Sequence, residues 1–429
     1  MIVSKIKRVF TDGDNRELIL SAAFAFVVRV LGAFSGFLVT YFVAKSLGAA
    51  ESGRYFLALS IVMVLSSVSR AGLDNTVLRF VGGTPELAIN VMAKALMVVT
   101  ILGLVFSSVA YFSAGYISLE IFGKVELKPI LQKMSFGILA LSVVTISSMA
   151  LQGLRRVSAS IFVLNIAVNT LLIGSIFTFG ITNATELGAF YTLCSILIAA
   201  IGISFFLCFA PRTEKSSIPW KELFASCWPL WIVVVMAQMV QWSGQFVAGA
   251  YVSSDLVAQF AVAQRTAMLT SFVLIAVNLV VAPRFAALYR QDDSRGLEIL
   301  AIKSVKIICV LALPVVGGML IFPEKLMGIF GEEFVTGAYL LQILAIGQFV
   351  NAVTGSVGFL LIMSGNERDM RTVTLISGSL AMVLTWGMTV AFGVLGAALA
   401  TAIAVSAQNL MAVYFVKKRL GFNTLLVWR

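Results

Sequence analysis

The sequence predicts an all-α integral membrane protein with about twelve transmembrane helices, arranged as two pseudo-symmetric six-helix halves around a central cavity. Hydrophobic residues make up 60% of the 429-residue chain and charged residues only 12%, whereas soluble domains average about 45–50% and about 25%. Long apolar runs recur along the chain, and its two parts repeat each other. A soluble enzyme or a disordered scaffold is excluded, because either would need more charged surface.

Each apolar run is long enough to cross a bilayer core, which requires about 20 mostly apolar residues. The first run follows a basic segment, as a signal peptide does, but it is too long and lacks a small-residue cleavage site. We therefore expect it to remain as the first membrane helix. The predicted spans are residues 18–42, 54–76, 90–114, 131–152, 158–180, 187–209, 229–251, 257–282, 304–323, 338–363, 372–392 and 395–416.

The Lys and Arg residues predict the orientation of these spans. Of the 31, 22 fall on one side of the membrane and six on the other, and Arg29, Arg70 and Arg265 lie within spans. Because cytoplasmic loops carry the excess of positive charge, we expect both termini in the cytoplasm. The net charge of +11 is explained by topology and anionic lipid headgroups, and no nucleic-acid partner is expected.

The second part of the chain repeats the first at an offset of about 205 residues. The pair Arg79-Phe80 falls on Arg284-Phe285, and Leu187-Gly188-Ala189 falls on Leu395-Gly396-Ala397. Six spans per repeat make the repeat parallel, and a transporter of this construction usually binds its substrate between the halves. The predicted units are an N-terminal half at 1–210, a cytoplasmic linker at 211–228 and a C-terminal half at 229–429.

Cations inside the membrane mark the candidate substrate site. A charge at the bilayer centre costs about 2.5–3.5 kcal/mol on insertion scales. Arg29 in the first span and Arg265 in the eighth have no carboxylate one turn away in their own helices. We therefore expect them to face a shared cavity, where arginine suits phosphate through paired, charge-assisted hydrogen bonds. A carboxylate on another helix is the alternative partner.

Three further cations are candidates for extending the positive charge of the cavity along the spans. Lys45 and Arg54 lie near the outer ends of the first two spans, where snorkelling to the interface is the alternative role. Arg70 lies toward the inner end, and Asp74 one helical turn later makes a structural ion pair its alternative role.

Amide side chains form a second set of candidates. Gln238, Gln241 and Gln245 recur along the seventh span, with Trp242 among them. Their spacing places the amides on one helical side, where they are candidates for binding sugar hydroxyls with Trp242 stacking on a ring. Interhelical hydrogen bonding is the alternative. It is also the more frequent role for the amides of the fifth and tenth spans, which are Asn165, Asn169, Gln348 and Asn351.

The residue inventory argues against catalysis. The chain has no histidine, which removes His-ligated zinc and Ser-His-Asp chemistry. Its four cysteines form no metal or redox motif. We expect no cofactor, no metal and no enzymatic activity. Asp74 and Asp255 are the candidates for coupling transport to a proton or sodium gradient.

The opening of the chain resembles the polysaccharide transporter family. The resemblance lies in Val28-Arg29-Val30-Leu31-Gly32, in the run from Ala44 to Tyr55, and in Gly72-Leu73 followed by Arg79. That family includes the Wzx O-antigen flippases and belongs to the MOP superfamily, which holds the MATE exporters and the lipid II flippase MurJ.

The resemblance implies a flippase of the bacterial inner membrane. Its substrate would be an undecaprenyl-diphosphate-linked oligosaccharide, such as an O-antigen repeat unit, moved by alternating access. Membrane lipids, polysaccharide polymerase and chain-length machinery are the implied partners. Arg29 looks like the first-helix arginine of the lipid II flippases, which is thought to contact the diphosphate, whereas Ser35 stands where they carry a second basic residue. The alternative function is a MATE-type multidrug or cation antiporter.

Overall fold

The computed structural model describes residues 13–211 and 217–425, and all regular structure in these residues is helical. The basic residues Lys5, Lys7 and Arg8, and residues 212–216 of the predicted linker, lie outside the described residues. The N-terminal half contains helices α1 Gly13–Ser69, α2 Leu73–Gly83, α3 Ala88–Tyr116, α4 Leu127–Met134, α5 Gly137–Gly153, α6 Val157–Ile161, α7 Val168–Phe179 and α8 Ala184–Phe209.

The C-terminal half follows the same order of elements. Its first helix begins nine residues before the predicted seventh span, and its second span is interrupted in the middle, as is the second span of the first half. The helices are α9 Trp220–Tyr251, α10 Ser254–Ala267, α11 Ser271–Arg290, α12 Ser294–Ile321, α13 Pro323–Gly328, α14 Ala338–Thr354, α15 Val357–Met363 and α16 Glu367–Leu420.

The two longest helices are each folded into two arms at a glycine. Gly48 (φ +73°) and Gly393 (φ +59°) have left-handed backbone conformations that favour glycine. The Ser52 hydroxyl donates to the Val43 carbonyl at 3.2 Å, although a continuous helix would separate nine residues by about 13 Å. A Cβ on Gly396 would lie 1.8 Å from the Met388 carbonyl oxygen. Both helices therefore double back on themselves.

These breaks reconcile the observed helices with the predicted spans. In the described ranges, nine helical segments are long and apolar enough to cross a membrane, and the bent pair α4–α5 makes a tenth. Since α1 and α16 each supply two arms, the ten segments correspond to the twelve predicted runs. Large apolar side chains such as Phe112, Val310 and Ile321 are strongly exposed, as a lipid-facing surface allows. The predicted all-α membrane fold is confirmed.

The two halves meet tightly at the end that the charge distribution predicts to be outer. A Cβ on Gly53 would lie 1.8 Å from the Ser254 carbonyl oxygen, so α1 and α10 touch backbone to backbone. The Glu333 carboxylate accepts a hydrogen bond from the Ala49 N–H at 2.6 Å, at the start of the second arm of α1. Lys124 donates to the Val252 carbonyl at 2.8 Å, just beyond the end of α9. We call this contact the outer seam.

Toward the inner end the eighth span packs mainly within its own half. Val273, Leu274 and Val277 of α11 contact a small core cluster that includes Ile308 and Ala352. All residues from 271 to 278 remain partly exposed. The helix α9, in contrast, stays attached to the first half, because the Trp231 indole donates to the Val68 carbonyl at 3.0 Å. Toward this end the eighth span is therefore less closely covered than at the outer seam, where residues 257–263 are buried.

Candidate functional site

Arg265 lies where the two halves meet, at the C-terminal end of α10. Its guanidinium donates a hydrogen bond to the Thr40 hydroxyl at 2.8 Å, on the first arm of α1. It also lies over the Phe56 ring, 4.4 Å from the ring centroid, on the second arm of α1. A cation over an aromatic face is electrostatically stabilised. A single arginine of the C-terminal half thus contacts both arms of the first helix of the other half.

Most of the hydrogen-bonding capacity of Arg265 is unused. A guanidinium carries five N–H donors, and the bond to Thr40 is its one hydrogen bond to the described residues. No carboxylate of the described residues lies within ion-pairing distance of it. The side chain is only partly buried. Its free donors are therefore available to an anion, and no carboxylate in the described part of the chain takes the alternative role of its ion-pair partner.

Arg29 lies on the same side of the first arm of α1 as Thr40. Eleven residues separate them, which is close to three full turns, so their side chains project in nearly the same direction about 16 Å apart along the axis. Arg29 is exposed and forms no ion pair with the described residues. The structure therefore places the two central arginines at different depths along one stripe rather than side by side.

Ser35 has a packing role. Its hydroxyl contacts the Gly32 carbonyl at 2.7 Å and the Asn165 carbonyl at 2.6 Å. It also accepts a hydrogen bond from the Asn169 amide at 3.0 Å. Asn165 lies in a π-helical turn between α6 and α7. These polar groups join the first and fifth spans, which is the role predicted as the more frequent one for Asn165 and Asn169.

The outer cations have different surroundings. Arg54 pairs with Glu51 in its own helix and with Glu126 at 3.7 Å. Lys45 is exposed and has no ion-pair partner in the described part of the chain. The positive charge of Arg54 is thus balanced locally at the outer end, whereas Lys45 keeps its charge unpaired.

Arg70 and Asp74 form an ion pair at the break between α1 and α2, as their spacing allowed. The Nε atom of Arg70 lies 2.8 Å from the Asp74 carboxylate, and Nη1 donates to the Ser66 hydroxyl at 2.9 Å. Both side chains are largely buried. The other coupling candidate, Asp255, is exposed in the first turn of α10 at the outer end. Neither carboxylate lies beside Arg265.

The four polar candidates of α9 have different neighbours. Gln245 is fully buried and donates to the Phe56 carbonyl of the other half. Gln238 accepts a hydrogen bond from the Trp242 indole at 3.0 Å. Gln241 lines a cavity. The structure therefore does not bring Gln238, Gln241 and Gln245 together at one site.

That cavity lies within the C-terminal half and has a volume of about 360 Å³. Residues from α9, α10, α11, α14 and α16 line it, and none of its lining residues is charged. We call it the amide cavity after its six amide side chains, which are Gln241, Gln264, Gln348, Asn351, Gln408 and Asn409.

Sequence reasoning missed three of these six. Gln264, Gln408 and Asn409 are lone amides or a pair in otherwise apolar runs, a pattern typical of interhelical hydrogen bonds. Gln348 and Asn351 were likewise interpreted as interhelical hydrogen-bonding residues. The sequence did contain one indication of the cavity, which is the number of amides: four helices of one half carry amide side chains at similar depth.

The site as a whole combines two chemical environments. Arg265 offers a partly used guanidinium at the meeting of the halves, and the amide cavity offers neutral donors and acceptors beside it. Such a combination can bind a molecule that is anionic at one end and polar but uncharged at the other.

Comparison with known proteins identifies the family. The family model described as "Polysaccharide biosynthesis protein" matches residues 19–289, which is more than half of the chain. The chain belongs to this family. The predicted membership is therefore confirmed.

This polysaccharide biosynthesis protein also matches a curated relative along most of its length. It is 22% identical over 404 residues to the probable low-salt glycan biosynthesis flippase Agl15 of Haloferax volcanii, covering 93% of this chain and 84% of the relative.

Solved structures of membrane transporters share its fold. The lipid II flippase MurJ in an inward closed conformation superposes with a TM-score of 0.74 at 17% identity, covering 93% of this chain and 87% of MurJ. An inward-facing MATE family multidrug transporter of the MOP superfamily superposes with a TM-score of 0.72 at 16% identity, covering 92% and 98%. This polysaccharide biosynthesis protein therefore has the two-half MOP fold. Its relatives are flippases and transporters, in agreement with the prediction of a transporter rather than an enzyme.

Proposed function

We propose that this protein flips an undecaprenyl-diphosphate-linked oligosaccharide, such as an O-antigen or other polysaccharide repeat unit, across the bacterial inner membrane. Its termini then lie in the cytoplasm, and polysaccharide polymerase and chain-length machinery receive the product. The observation that carries the proposal is Arg265, a partly buried cation between the halves with unused N–H donors. The relative of Haloferax volcanii, a probable glycan biosynthesis flippase, supports the class of substrate.

A diphosphate explains why a cation is retained at this depth. An arginine inside the membrane destabilises the protein unless its charge is compensated. Thr40 and Phe56 provide a neutral acceptor and an aromatic face, which leave the charge of Arg265 uncancelled. A diphosphate would accept paired hydrogen bonds from the remaining donors and neutralise the cation. Arg29, on the same stripe nearer the inner end, would meet the diphosphate first.

The arrangement of the halves supports alternating access. The outer seam is closed by the backbone contact of Gly53 with Ser254 and by the bond from Ala49 to Glu333. Residues 271–278 remain partly exposed on the inner side. In this conformation the substrate enters from the inner side and reaches Arg265 directly below the outer seam. Release to the other leaflet requires the outer seam to open and the inner side to close.

A MATE-type cation antiporter is the second candidate, because the fold is equally similar to a MATE transporter. A cationic substrate needs an available carboxylate near the centre. Asp74 is paired with Arg70, and Asp255 is exposed at the outer end. The central charge is positive, so the flippase is the better-supported proposal. Dye efflux from vesicles that is stimulated by a cation gradient would favour the antiporter.

The decisive experiment is reconstituted flipping of a defined lipid-linked glycan by wild-type protein, Arg265→Gln and the control Arg290→Gln. Arg290 is an exposed arginine at the end of α11. Loss of a charge-assisted contact costs about 1.5–3 kcal/mol. We expect flipping by Arg265→Gln to fall at least tenfold, while Arg290→Gln keeps the wild-type rate. Equal rates for all three proteins would refute the proposal.

A further inference from the structure

The amide cavity has the dimensions of a ligand site rather than of a packing defect. Its volume of about 360 Å³ lies within the range of about 300–1,000 Å³ for small-molecule sites. Four of its helices contribute amide side chains, and Ser271 and Thr401 add hydroxyl groups. Empty cavities in proteins are usually apolar, whereas polar ones hold water or ligand. A neutral polar molecule fits this lining.

Several of the amides have free hydrogen-bonding groups. Gln408 makes no hydrogen bond to the described residues. Gln264 uses its NH₂ group to reach the Gln241 carbonyl at 3.0 Å, which leaves its side-chain oxygen free. Asn409 donates to the Val405 carbonyl at 2.9 Å and also keeps a free oxygen. The cavity therefore offers both donors and acceptors, as neighbouring hydroxyl groups require.

Other amides are held in place by each other. The Gln348 side-chain oxygen accepts from the Ser271 hydroxyl at 2.9 Å and from the Asn351 amide at 3.2 Å. These bonds connect the start of α11 with α14. They fix the orientation of Gln348, so its NH₂ group points away from the accepted bonds and is available to a ligand. The lining is thus partly preorganised.

Consecutive residues of α10 connect the amide cavity with the cationic centre. Gln264 and Arg265 are consecutive residues of α10, and successive side chains of a helix project about 100° apart. Arg265 reaches Thr40 of the other half, while Gln264 lines the amide cavity within its own half. A ligand with its anionic group at Arg265 would extend its neutral part into the amide cavity.

We infer that the amide cavity is a binding subsite for the first sugars of the substrate, the uncharged sugars attached next to the diphosphate. This inference rests on the proposed function, since it takes Arg265 as the anchor of the diphosphate. The absence of charge among the lining residues restricts the subsite to neutral sugars. Acidic sugars of the same glycan would lie elsewhere.

Two probes separate the two parts of the site. The first is undecaprenyl diphosphate without sugar, and the second is the lipid-linked oligosaccharide extracted from cells that make this protein. Equilibrium binding of each is measured with the full-length protein in detergent. The variants are Gln408→Leu and Arg265→Gln, and the control is Gln342→Leu, on the same helix as Gln348 but outside the amide cavity.

We expect Gln408→Leu to weaken binding of the glycosylated lipid about tenfold, because neutral hydrogen bonds to a sugar are lost. Its affinity for undecaprenyl diphosphate should equal that of the wild type, and Gln342→Leu should bind both probes normally. If Gln408→Leu does not purify as a folded protein, Gln408→Met is used instead, because methionine is unbranched like glutamine and closer to it in shape.

An unchanged affinity of Gln408→Leu for the glycosylated lipid would overturn the inference and leave a cavity that holds only water. An equal loss of affinity of Gln408→Leu for both probes would overturn the inference as well, because the amide cavity would then not be specific for sugar. The proposed function fails in a different way: Arg265→Gln would then bind undecaprenyl diphosphate as tightly as the wild type does.

Discussion

The guanidinium of Arg265 donates a hydrogen bond to the Thr40 hydroxyl at 2.8 Å, and this bond joins the two halves of the protein below the outer seam. The Thr40 hydroxyl in turn donates to the Gly36 carbonyl at 3.0 Å. The hydroxyl is therefore oriented with a lone pair toward Arg265. A residue proposed to bind the substrate is also a contact that must break or shift when the halves separate.

Replacing Thr40 with valine should loosen the closed outer seam. Valine keeps the shape but removes the acceptor, and a hydrogen bond to a charged group contributes about 1.5–3 kcal/mol. We expect the fraction of open molecules to rise about tenfold or more. The measurement is labelling of Ala258→Cys, buried at the outer seam, with a membrane-impermeant maleimide in a background without the native cysteines. Thr40→Ser, which keeps the hydroxyl, should be labelled like the parent protein. If Thr40→Val were also labelled like the parent, the bond from Arg265 to Thr40 would not hold the outer seam closed.

Replacing Gly53 with alanine should prevent the outer seam from closing. The added Cβ would lie 1.8 Å from the Ser254 carbonyl oxygen, a distance that only separation of α1 and α10 can relieve. We expect flipping in proteoliposomes to fall more than tenfold, with strong maleimide labelling at position 258. Gly174→Ala is the matched control, because a Cβ at that helical glycine meets no atom within 4 Å. Normal flipping by Gly53→Ala would show that closure of the outer seam is not required.

Two glutamines of one helix should respond differently to substitution. Gln245 is fully buried and bonds to the Phe56 carbonyl, so Gln245→Leu should destabilise the fold by about 1 kcal/mol and lower the melting temperature. Its affinity for the lipid-linked oligosaccharide should stay unchanged. Gln241 lines the amide cavity, so Gln241→Leu should melt normally and bind that lipid more weakly. The opposite pattern in the two variants would reverse the assignment.

Acid should weaken the contact between the two ends of α16. Hydrogen bonds from the Arg419 guanidinium lower the pKa of the Asp369 carboxyl below its usual value of 3.8. The pKa of Asp369 is lower in the folded protein than in the unfolded chain, so the contact stabilises the folded protein fully at pH values above the unfolded pKa. This stabilisation is lost as the pH falls through the pKa of the folded protein. We expect the melting temperature of the wild type to fall toward that of Asp369→Asn below about pH 4. A constant difference between the two proteins at all pH values would disprove this linkage.

The spans could be predicted closely, because a bilayer requires long apolar runs whatever their neighbours are. The breaks at Gly48 and Gly393 lie between predicted apolar runs. The prediction of twelve spans therefore already treated α1 and α16 as two spans each. The interruption of the eighth span near Met268 to Thr270 was not predicted. It has no proline or glycine to signal it, and it depends on packing against neighbouring helices.

The sequence by itself determined which residues lie in the membrane, which end carries the positive charge, and that Arg29 and Arg265 are costly cations inside spans. Only the tertiary structure decided which neighbour each polar side chain meets. Glu126, far along the chain, approaches Arg54. Gln245 bonds to Phe56 of the other half, while Gln264 and Gln408 both line the amide cavity. The physical reason is that helical periodicity fixes which residues share a side of a helix, whereas the partner of that side is set by the packing of helices distant in sequence.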